Sequence, residues 1–303
     1  MMEKTLIAVI GPTAIGKTNM AIKLAQYFKT EIISADSRQF YQEMEIGTAV
    51  PSPEELGMVP HHFIQHKSIF ESYSVGDFEK EAIAKLNRLF KSNDVIVIVG
   101  GSGLYVDAVV NGLDDFPDIS EEIRTNLILE QQHKGLPYLQ EKLKVLDPVY
   151  HKTVDLSNAH RVIRALEICI GTNKPYSSFL SKKKKSRSFK TIYVGLHAER
   201  TLIYKRINLR VDKMLEAGLL KEVKKLEEHK HLNALQTVGY KELFLYLEGR
   251  CSLNEAVEEI KKNTRRFAKR QLTWYRKNQN ILWVDHNADL TAVIAKLHIT
   301  GRP

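Results

Sequence analysis

Two cysteines, Cys169 and Cys251, are all that 303 residues hold. They can make neither a disulfide framework nor, by themselves, a zinc site, and so few thiols fit a reducing compartment. No apolar run approaches the length of a membrane span. The first apolar strand begins within a few residues of Met1, without a cationic leader and small-residue cleavage site. These absences lead us to expect a cytoplasmic protein. Internal repeats and long low-complexity tracts are missing as well. Acid is the scarce charge: 36 Asp and Glu stand against 45 Lys and Arg, a formal net charge of +9. That excess is more than an enzyme of a small acidic metabolite needs. It points either to a polyanionic partner, nucleic acid first, or to a basic surface without one. Hydrophobic residues make up 43% of the chain, enough for a substantial core. The length allows one large or two modest domains.

What is present begins with Gly11-Pro12-Thr13-Ala14-Ile15-Gly16-Lys17-Thr18. An apolar run, Leu6–Ile10, precedes it and a helical pattern, Lys17–Phe28, follows. In that context G-x-x-x-x-G-K-T is a phosphate cradle. Its backbone N–H groups point inward at an anion, and the next helix adds partial positive charge. Lys17 can reach the terminal phosphates, and the Thr18 hydroxyl can hold magnesium.

Further strands are expected at Glu31–Ser34, Val95–Val99, Thr191–Leu196 and Ile281–Val284. Ser74 and Asp77 should cap a helix running to Phe90. More helices are expected at Thr201–Ala217, Leu219–Glu228, Gly239–Glu248 and Leu253–Lys277, with Gly218 and Gly249 as breaks or caps. Strands separated by helices predict an α/β fold, a P-loop NTPase-like parallel sheet flanked by helices. Ligands of such sheets bind at the carboxyl ends of strands. Gly11–Thr18, Ala35–Tyr41 and Gly100–Tyr105 fall there.

The pattern changes near Asn111. Asp114–Pro117 reads as a linker, and short helical pieces follow from Ser120, limited by Pro137 and Pro148. We therefore expect a first part of the core over 1–118, a helical insertion domain over 119–188, and core completion with a basic helical C-terminal part over 189–303. The segment Tyr176–Ser188 carries the tetralysine Lys182–Lys185, either a solvated loop or a contact surface. Between Lys261 and Lys277 lie eight Lys or Arg and no acid. Ile260, Phe267 and Trp274 recur every seven residues, which predicts one face on the core and leaves the cations facing either solvent alone or RNA.

An ordinary nucleotide hydrolase places an acid at the end of a buried strand to help hold magnesium. Here Val95–Val99 runs into Gly100-Gly101-Ser102-Gly103-Leu104-Tyr105, and no Asp follows until Asp107. The better-placed acid is Asp36, in Ser34-Ala35-Asp36-Ser37-Arg38-Gln39. It can take a proton from a nucleophile, bind metal, or cap a turn. Arg38 and Gln39 suit phosphate or base recognition.

These motifs occur in order with Ile46-Gly47-Thr48-Ala49, Pro60-His61-His62, Asn158-x-x-Arg161-Val162-Ile163-Arg164-Ala165-Leu166-Glu167, Gly239-Tyr240-Lys241-Glu242 and Thr264-Arg265-Arg266-x-Ala268-Lys269-Arg270-Gln271-Leu272-Thr273-Trp274. The ordered set resembles the bacterial tRNA dimethylallyltransferases, also called tRNA isopentenyltransferases. The resemblance implies transfer of a dimethylallyl group from its diphosphate to N6 of adenosine 37, immediately 3′ of the tRNA anticodon. It implies magnesium as cofactor and the anticodon stem-loop as partner. It makes the insertion a swinging lid and the protein a monomer without membrane attachment. Gly11–Thr18, with Arg206 or Arg210, would hold the diphosphate. Asp36 would act as base, with Ser102 orienting the amine or Asp36. Contacts to tRNA would come from Asp36, Ser37, Arg38, Gln39, Ser102 and Arg124. Others would come from His160, Arg161, Val162, Ile163 and Arg164, and from Gln236, Thr237, Val238, Gly239, Tyr240 and Lys241. Thr264, Arg265, Arg266, Phe267, Ala268, Lys269, Arg270 and Gln271 complete the set.

Three positions depart from the family pattern: Ser102 for the usual Thr, Val50 for a common Lys, and Gln65 for a common Asp. The C-terminal Cys/His pattern of eukaryotic relatives is missing. Three other readings stand beside this one. A P-loop kinase or NTPase leaves the basic helix unexplained. A relative that prenylates free adenine nucleotides needs neither the insertion nor that helix. A non-enzymatic RNA-binding module leaves the cradle and Asp36 without a use.

Overall fold

The computed structural model describes residues 3–181, 185–297 and 299, so Lys182–Lys184 of the tetralysine lie outside the described residues. In chain order the elements begin with β1 (Thr5–Ile10), α1 (Lys17–Tyr27), β2 (Ile32–Ser34), α2 (Pro53–Met58), β3 (His61–His62), α3 (Val75–Leu89), β4 (Val95–Val99) and α4 (Gly103–Asn111). Next come α5 (Glu121–Leu146), α6 (Pro148–His151), α7 (Ala159–Thr172) and β5 (Lys190–His197). The chain closes with α8 (Arg200–Glu216), α9 (Leu219–Lys225), α10 (Tyr240–Leu247), α11 (Leu253–Tyr275), β6 (Ile281–Asp285) and α12 (Leu290–Leu297).

The six strands form one parallel sheet in the order β3-β2-β4-β1-β5-β6. Every residue of β1 and β4 is buried, as expected for strands covered on both faces. Side chains alternate between two cores. Leu6, Ala8, Ile10, Ile96 and Ile98 pack on one face with α3, α4 and α10 residues such as Phe78, Val106 and Leu243. Ile7, Val9, Val95, Val97 and Val99 pack on the other with Ala21, Leu24, Ile203 and Val293. Burying each large aliphatic side chain contributes roughly 1.5–3 kcal/mol. A one-residue slip of β1 would exchange the two sets.

The chain divides into two compact units, Met1–Asn111 with Ser186–Pro303, and Gly112–Lys185. The second unit thus starts at Gly112, where the composition reading placed residue 119, and ends at Lys185 rather than 188. Within it, Leu127, Leu139 and Leu143 of α5 pack on Val162, Ile163, Ala165 and Leu166 of α7. The limit expected at Pro137 is met two residues ahead of it: α5 breaks at Gly135, with φ of +80°. The fully buried Asp147 carboxylate accepts from the N–H of Tyr150 and from both the N–H and hydroxyl of Ser177.

Elements that periodicity did not reveal have local causes. Helix α2 buries no residue, so it carries no apolar stripe; its capping box, Ser52 with Glu55, and Pro53 specify it. Strand β3 is two residues long, too short for any pattern. Helix α4 begins inside the glycine run, where a turn is the natural expectation. Helix α9 ends at Lys225 and gives way to a 3₁₀ turn, Glu227–His229. Ser74 and Asp77 form the expected reciprocal cap of α3.

Candidate active site

The loops after β1, β2 and β4 converge on one cavity of about 630 Å³. Thr13, Asp36, Ser37, Arg38 and Gly101–Tyr105 line one side. Arg210, Gln236–Gly239, Lys241, Thr264, Phe267, Arg270, Gln271 and Trp274 line the rest. Glycine makes this convergence possible. A Cβ on Gly100 would lie 2.5 Å from the carbonyl oxygen of Ala35, and one on Gly11 would lie 2.8 Å from that of Leu196. The loops after β1 and β4 therefore lie directly against neighbouring backbone.

The cradle residues are held by their own neighbours. Lys17 donates to the Pro12 carbonyl at 2.8 Å, and the Thr13 N–H donates to Gln271 Oε1 at 2.8 Å. Arg210 Nη1 donates to the Thr13 hydroxyl at 3.4 Å. Burial lowers the Lys17 ammonium to about 8, with Arg210 pushing the same way and Asp36 opposing them. Burial also pulls the Arg210 guanidinium below its ordinary value, again against the raising effect of Asp36. Two desolvated cations and one carboxylate thus face each other across the cradle. An incoming anion would restore charge balance to the cations, a standing attraction for phosphate. Arg206 reaches Gly16, its Nη2 standing 3.9 Å from where a Cβ would be.

Asp36 opens its loop with an Asx turn, Oδ1 accepting from the Arg38 N–H at 3.2 Å. Its second oxygen remains for other chemistry. The Ser37 and Ser102 hydroxyls lie 3.3 Å apart, and the Ser37 N–H donates to Ser102 at 3.5 Å. The turns after β2 and β4 are therefore joined at the site by Ser102.

Several expected RNA contacts are engaged elsewhere. Gln39 does not line the cavity; its amide nitrogen donates to the carbonyls of Thr48 and Ala49, and Ser34 donates to its oxygen. Arg38 donates to the carbonyls of Asn233 and Ala234. Tyr240 is fully buried and donates to Glu222, whose carboxylate also accepts from the N–H groups of Glu45, Ile46 and Gly47. Val162 and Ile163 are core residues of the second unit. Arg164 shares the buried Glu167 carboxylate with Arg124, while His160 and Arg161 are exposed. Ala268 and Gln271 are buried. The buried Val162, Ile163, Tyr240, Ala268 and Gln271 side chains do not reach the surface, whereas Arg38, Arg124 and Arg164 keep donors beyond these bonds.

The heptad on α11 also differs from its expected use. Ile260 is in the core, but Phe267 and Trp274 are 38% and 37% exposed and line the cavity. Ala256, Ala268, Gln271 and Tyr275 supply the rest of the buried face. The heptad stripe drifts around a straight α-helix because 3.6 does not divide seven. Sequence reasoning gave Trp274 only a packing role, although the preceding Arg270 and following Lys277, each near an aromatic ring, were a signal for an accessible aromatic face.

Neither Val50 nor Gln65 lines the cavity, although Val50 directly follows Ala49, which does; Gln65 donates to the Gln42 carbonyl. Among the described residues no cluster of three His, Cys, Asp or Glu could hold a metal, and no helix is long and apolar enough to cross a membrane.

The family model for IPP transferases matches residues 39–278. A tRNA dimethylallyltransferase of Christiangramia forsetii is 60% identical over 284 residues, covering 94% of each chain. One of Flavobacterium johnsoniae is 56% identical over 96% of each. Among solved structures, a tRNA isopentenylpyrophosphate transferase of Bacillus halodurans has 39% identity and a TM-score of 0.70, over 98% of this chain and 94% of that one. A eukaryotic dimethylallyltransferase described as acting on tRNA superposes with a TM-score of 0.84 at 27% identity, over 99% of this chain and 80% of that one. Agreement at this level across nearly the whole length means that this chain belongs to the IPP transferase family.

Proposed function

We infer that the protein transfers the dimethylallyl group of dimethylallyl diphosphate to N6 of adenosine 37 in tRNA and releases diphosphate. The observation that carries this reading is the shared cavity. One wall presents Thr13 of the phosphate loop and Arg210, another presents Asp36 and Ser102, and exposed aromatics of a basic helix complete it.

The chemistry follows from those groups. The allylic C–O bond breaks, and its electron pair leaves with the diphosphate oxygen. Lys17, Arg210 and the loop N–H groups stabilise that growing charge more than the ground state, which is the condition for acceleration. The N6 lone pair forms the new C–N bond, and Asp36 takes the N6 proton. Ser102, bonded to Ser37, orients the amine. The target base must leave the anticodon-loop stack to enter the cavity, as is common for enzymes that modify a base. Phe267 and Trp274 offer accessible ring faces for stacking.

Magnesium fits this donor set. Thr18, in the first turn of α1, would supply one hard oxygen. The ion would take its other ligands from the diphosphate and water, the coordination it favours. When bound, it neutralises part of the leaving-group charge.

The deciding assay incubates purified protein with labelled dimethylallyl diphosphate, magnesium and unmodified tRNA, followed by mass analysis of the nucleosides. The expected result is one dimethylallyl group on the adenosine 3′ of the anticodon. ATP turnover without prenyl transfer would instead establish a P-loop kinase or NTPase. Preferred labelling of AMP in direct competition with tRNA would establish a free-nucleotide prenyltransferase.

A further inference from the structure

Gln271 sits in the middle of the most cationic stretch of the chain, yet it is 6% exposed. Its carboxamide is spent on both sides. Oε1 accepts from the Thr13 N–H at 2.8 Å, and Nε2 donates to the Gly101 carbonyl at 2.8 Å. Four residues later on the same face of α11, the buried Tyr275 hydroxyl donates to the Gly100 carbonyl at 3.4 Å. A Cβ on Gly101 would collide with the Gln271 amide nitrogen, so glycine is what lets the side chain reach the turn. One side chain therefore ties the loop after β1 to the loop after β4. The first loop holds the leaving group; the second carries Ser102, which meets the Asp36 turn through Ser37.

We propose that Gln271 is a positioning residue for transfer: its carboxamide sets the spacing between the phosphate cradle and the Ser102 turn, and so anchors both to the RNA-facing helix. This rests on the reading of the site as a prenyl-transfer cavity. A displacement needs a near-attack geometry, with the reacting atoms about 3–3.5 Å apart. Leaving group and nucleophile are held here by different loops, and sliding one past the other lengthens that distance. A misplacement of about 1 Å can cost 10²-fold in rate. The amide is neutral and matches both partners with one donor and one acceptor. A carboxylate would set two acceptors face to face at Gly101. A lysine would set two donors face to face at Thr13.

The test uses Gln271→Met, which keeps the volume and loses both hydrogen bonds. Gly101→Ala is the second variant, because it expels the carboxamide from outside and leaves Gln271 intact. Three quantities are measured: single-turnover transfer at saturating tRNA and dimethylallyl diphosphate, tRNA affinity by filter binding, and binding of magnesium pyrophosphate. Thermal melts check that each variant is folded.

The expected result is a fall of about ten- to a hundred-fold in single-turnover rate for each variant, with tRNA affinity within twofold of the parent. The double variant should be scarcely slower than either single one, because both act on the same contact. A rate within twofold of the parent in folded Gln271→Met overturns the proposal. So does a loss confined to tRNA affinity, which would make Gln271 an RNA contact. Fully additive losses in the double variant overturn it as well. An inactive parent protein would count against the prenyl-transfer reading itself; pyrophosphate binding still reports on the latch in that case, since loosening of the cradle should weaken it in both variants.

Discussion

Trp274 donates its indole N–H to the Asp107 carboxylate at 2.8 Å, and Gly103 leaves the space in which the ring lies. The bond fixes the plane of a ring that is 37% exposed at the cavity. A fixed aromatic face loses little entropy when a base stacks on it. Stacking of one base on an aromatic is worth about 1–3 kcal/mol. Trp274→Ala should therefore raise the tRNA dissociation constant by roughly five- to a hundred-fold and leave pyrophosphate binding unchanged. Quenching of Trp274 fluorescence on titration with an anticodon stem-loop offers an independent check.

Asp36→Asn preserves the Asx turn to Arg38, because an amide oxygen can still accept the N–H bond. It removes the ability to take a proton, together with the negative charge that Lys17 and Arg210 feel. Single-turnover transfer should fall by about 10²–10⁴-fold, the usual worth of a positioned base, while tRNA affinity stays near the parent value. Near-normal turnover in this variant would remove Asp36 from the role.

Lys17 is held down to about 8 chiefly by burial. In the unfolded chain it titrates near the ordinary lysine value, so between the two the unfolded state carries more protons. Lys17 therefore opposes folding below pH 8, and that penalty is relieved as pH rises toward the ordinary value. Diphosphate binding acts in the opposite sense, since the anion favours the charged form and raises the lysine again. Pyrophosphate binding should take up a proton above pH 8 and weaken by as much as about tenfold per unit of pH there. Calorimetry in buffers of different ionisation enthalpy would measure that uptake. Its absence at pH 8.5 would show that Lys17 is already charged in the free enzyme.

Not all cations of α11 are available to RNA. Lys261 pairs with Asp212 and Glu258, and Lys262 with Glu259. Arg270 lines the cavity, and Lys269 is exposed. Each phosphate contact adds just under one unit to the slope of log affinity against log salt for duplex, and about 0.7 for single strands. Arg270→Gln or Lys269→Gln should lower the tRNA slope by about that much, whereas Lys262→Gln should leave it within error. Filter binding across a salt series decides between them.

Much of the framework was readable because its signals are local. Val95–Val99 announces a strand buried on both faces, and Gly11–Thr18 announces a cradle between strand and helix. Ser74 with Asp77 marks a helix start whatever the rest of the chain does. The site was readable as a set of loops at strand ends, and the fold brings those three loops together. Side-chain destinations were less readable. Gln39, Arg38 and Gln271 are expected as nucleic-acid contacts, but each finds backbone partners: nine and ten residues on for Gln39, 195 and 196 residues on for Arg38, and 258 residues away for Gln271 and Thr13. A seven-residue repeat likewise cannot say which of its members the core will take. Burial on α11 is decided by where β4 and α8 end, information that a helical wheel does not contain.

The placement of β1 has a consequence for synthesis. Thr5 opens a central strand whose two flanking partners begin at Val95 and at Lys190. A ribosome adding about 5–20 residues per second needs roughly ten to forty seconds to pass from the first of these positions to the last. For that interval a segment that is apolar from Leu6 to Ile10 has at least one backbone edge without a neighbour, the state in which strands recruit other chains. Truncation before Lys190 removes β5 and leaves that edge of β1 without its native partner, so such a fragment is expected to pellet on centrifugation where the full chain does not.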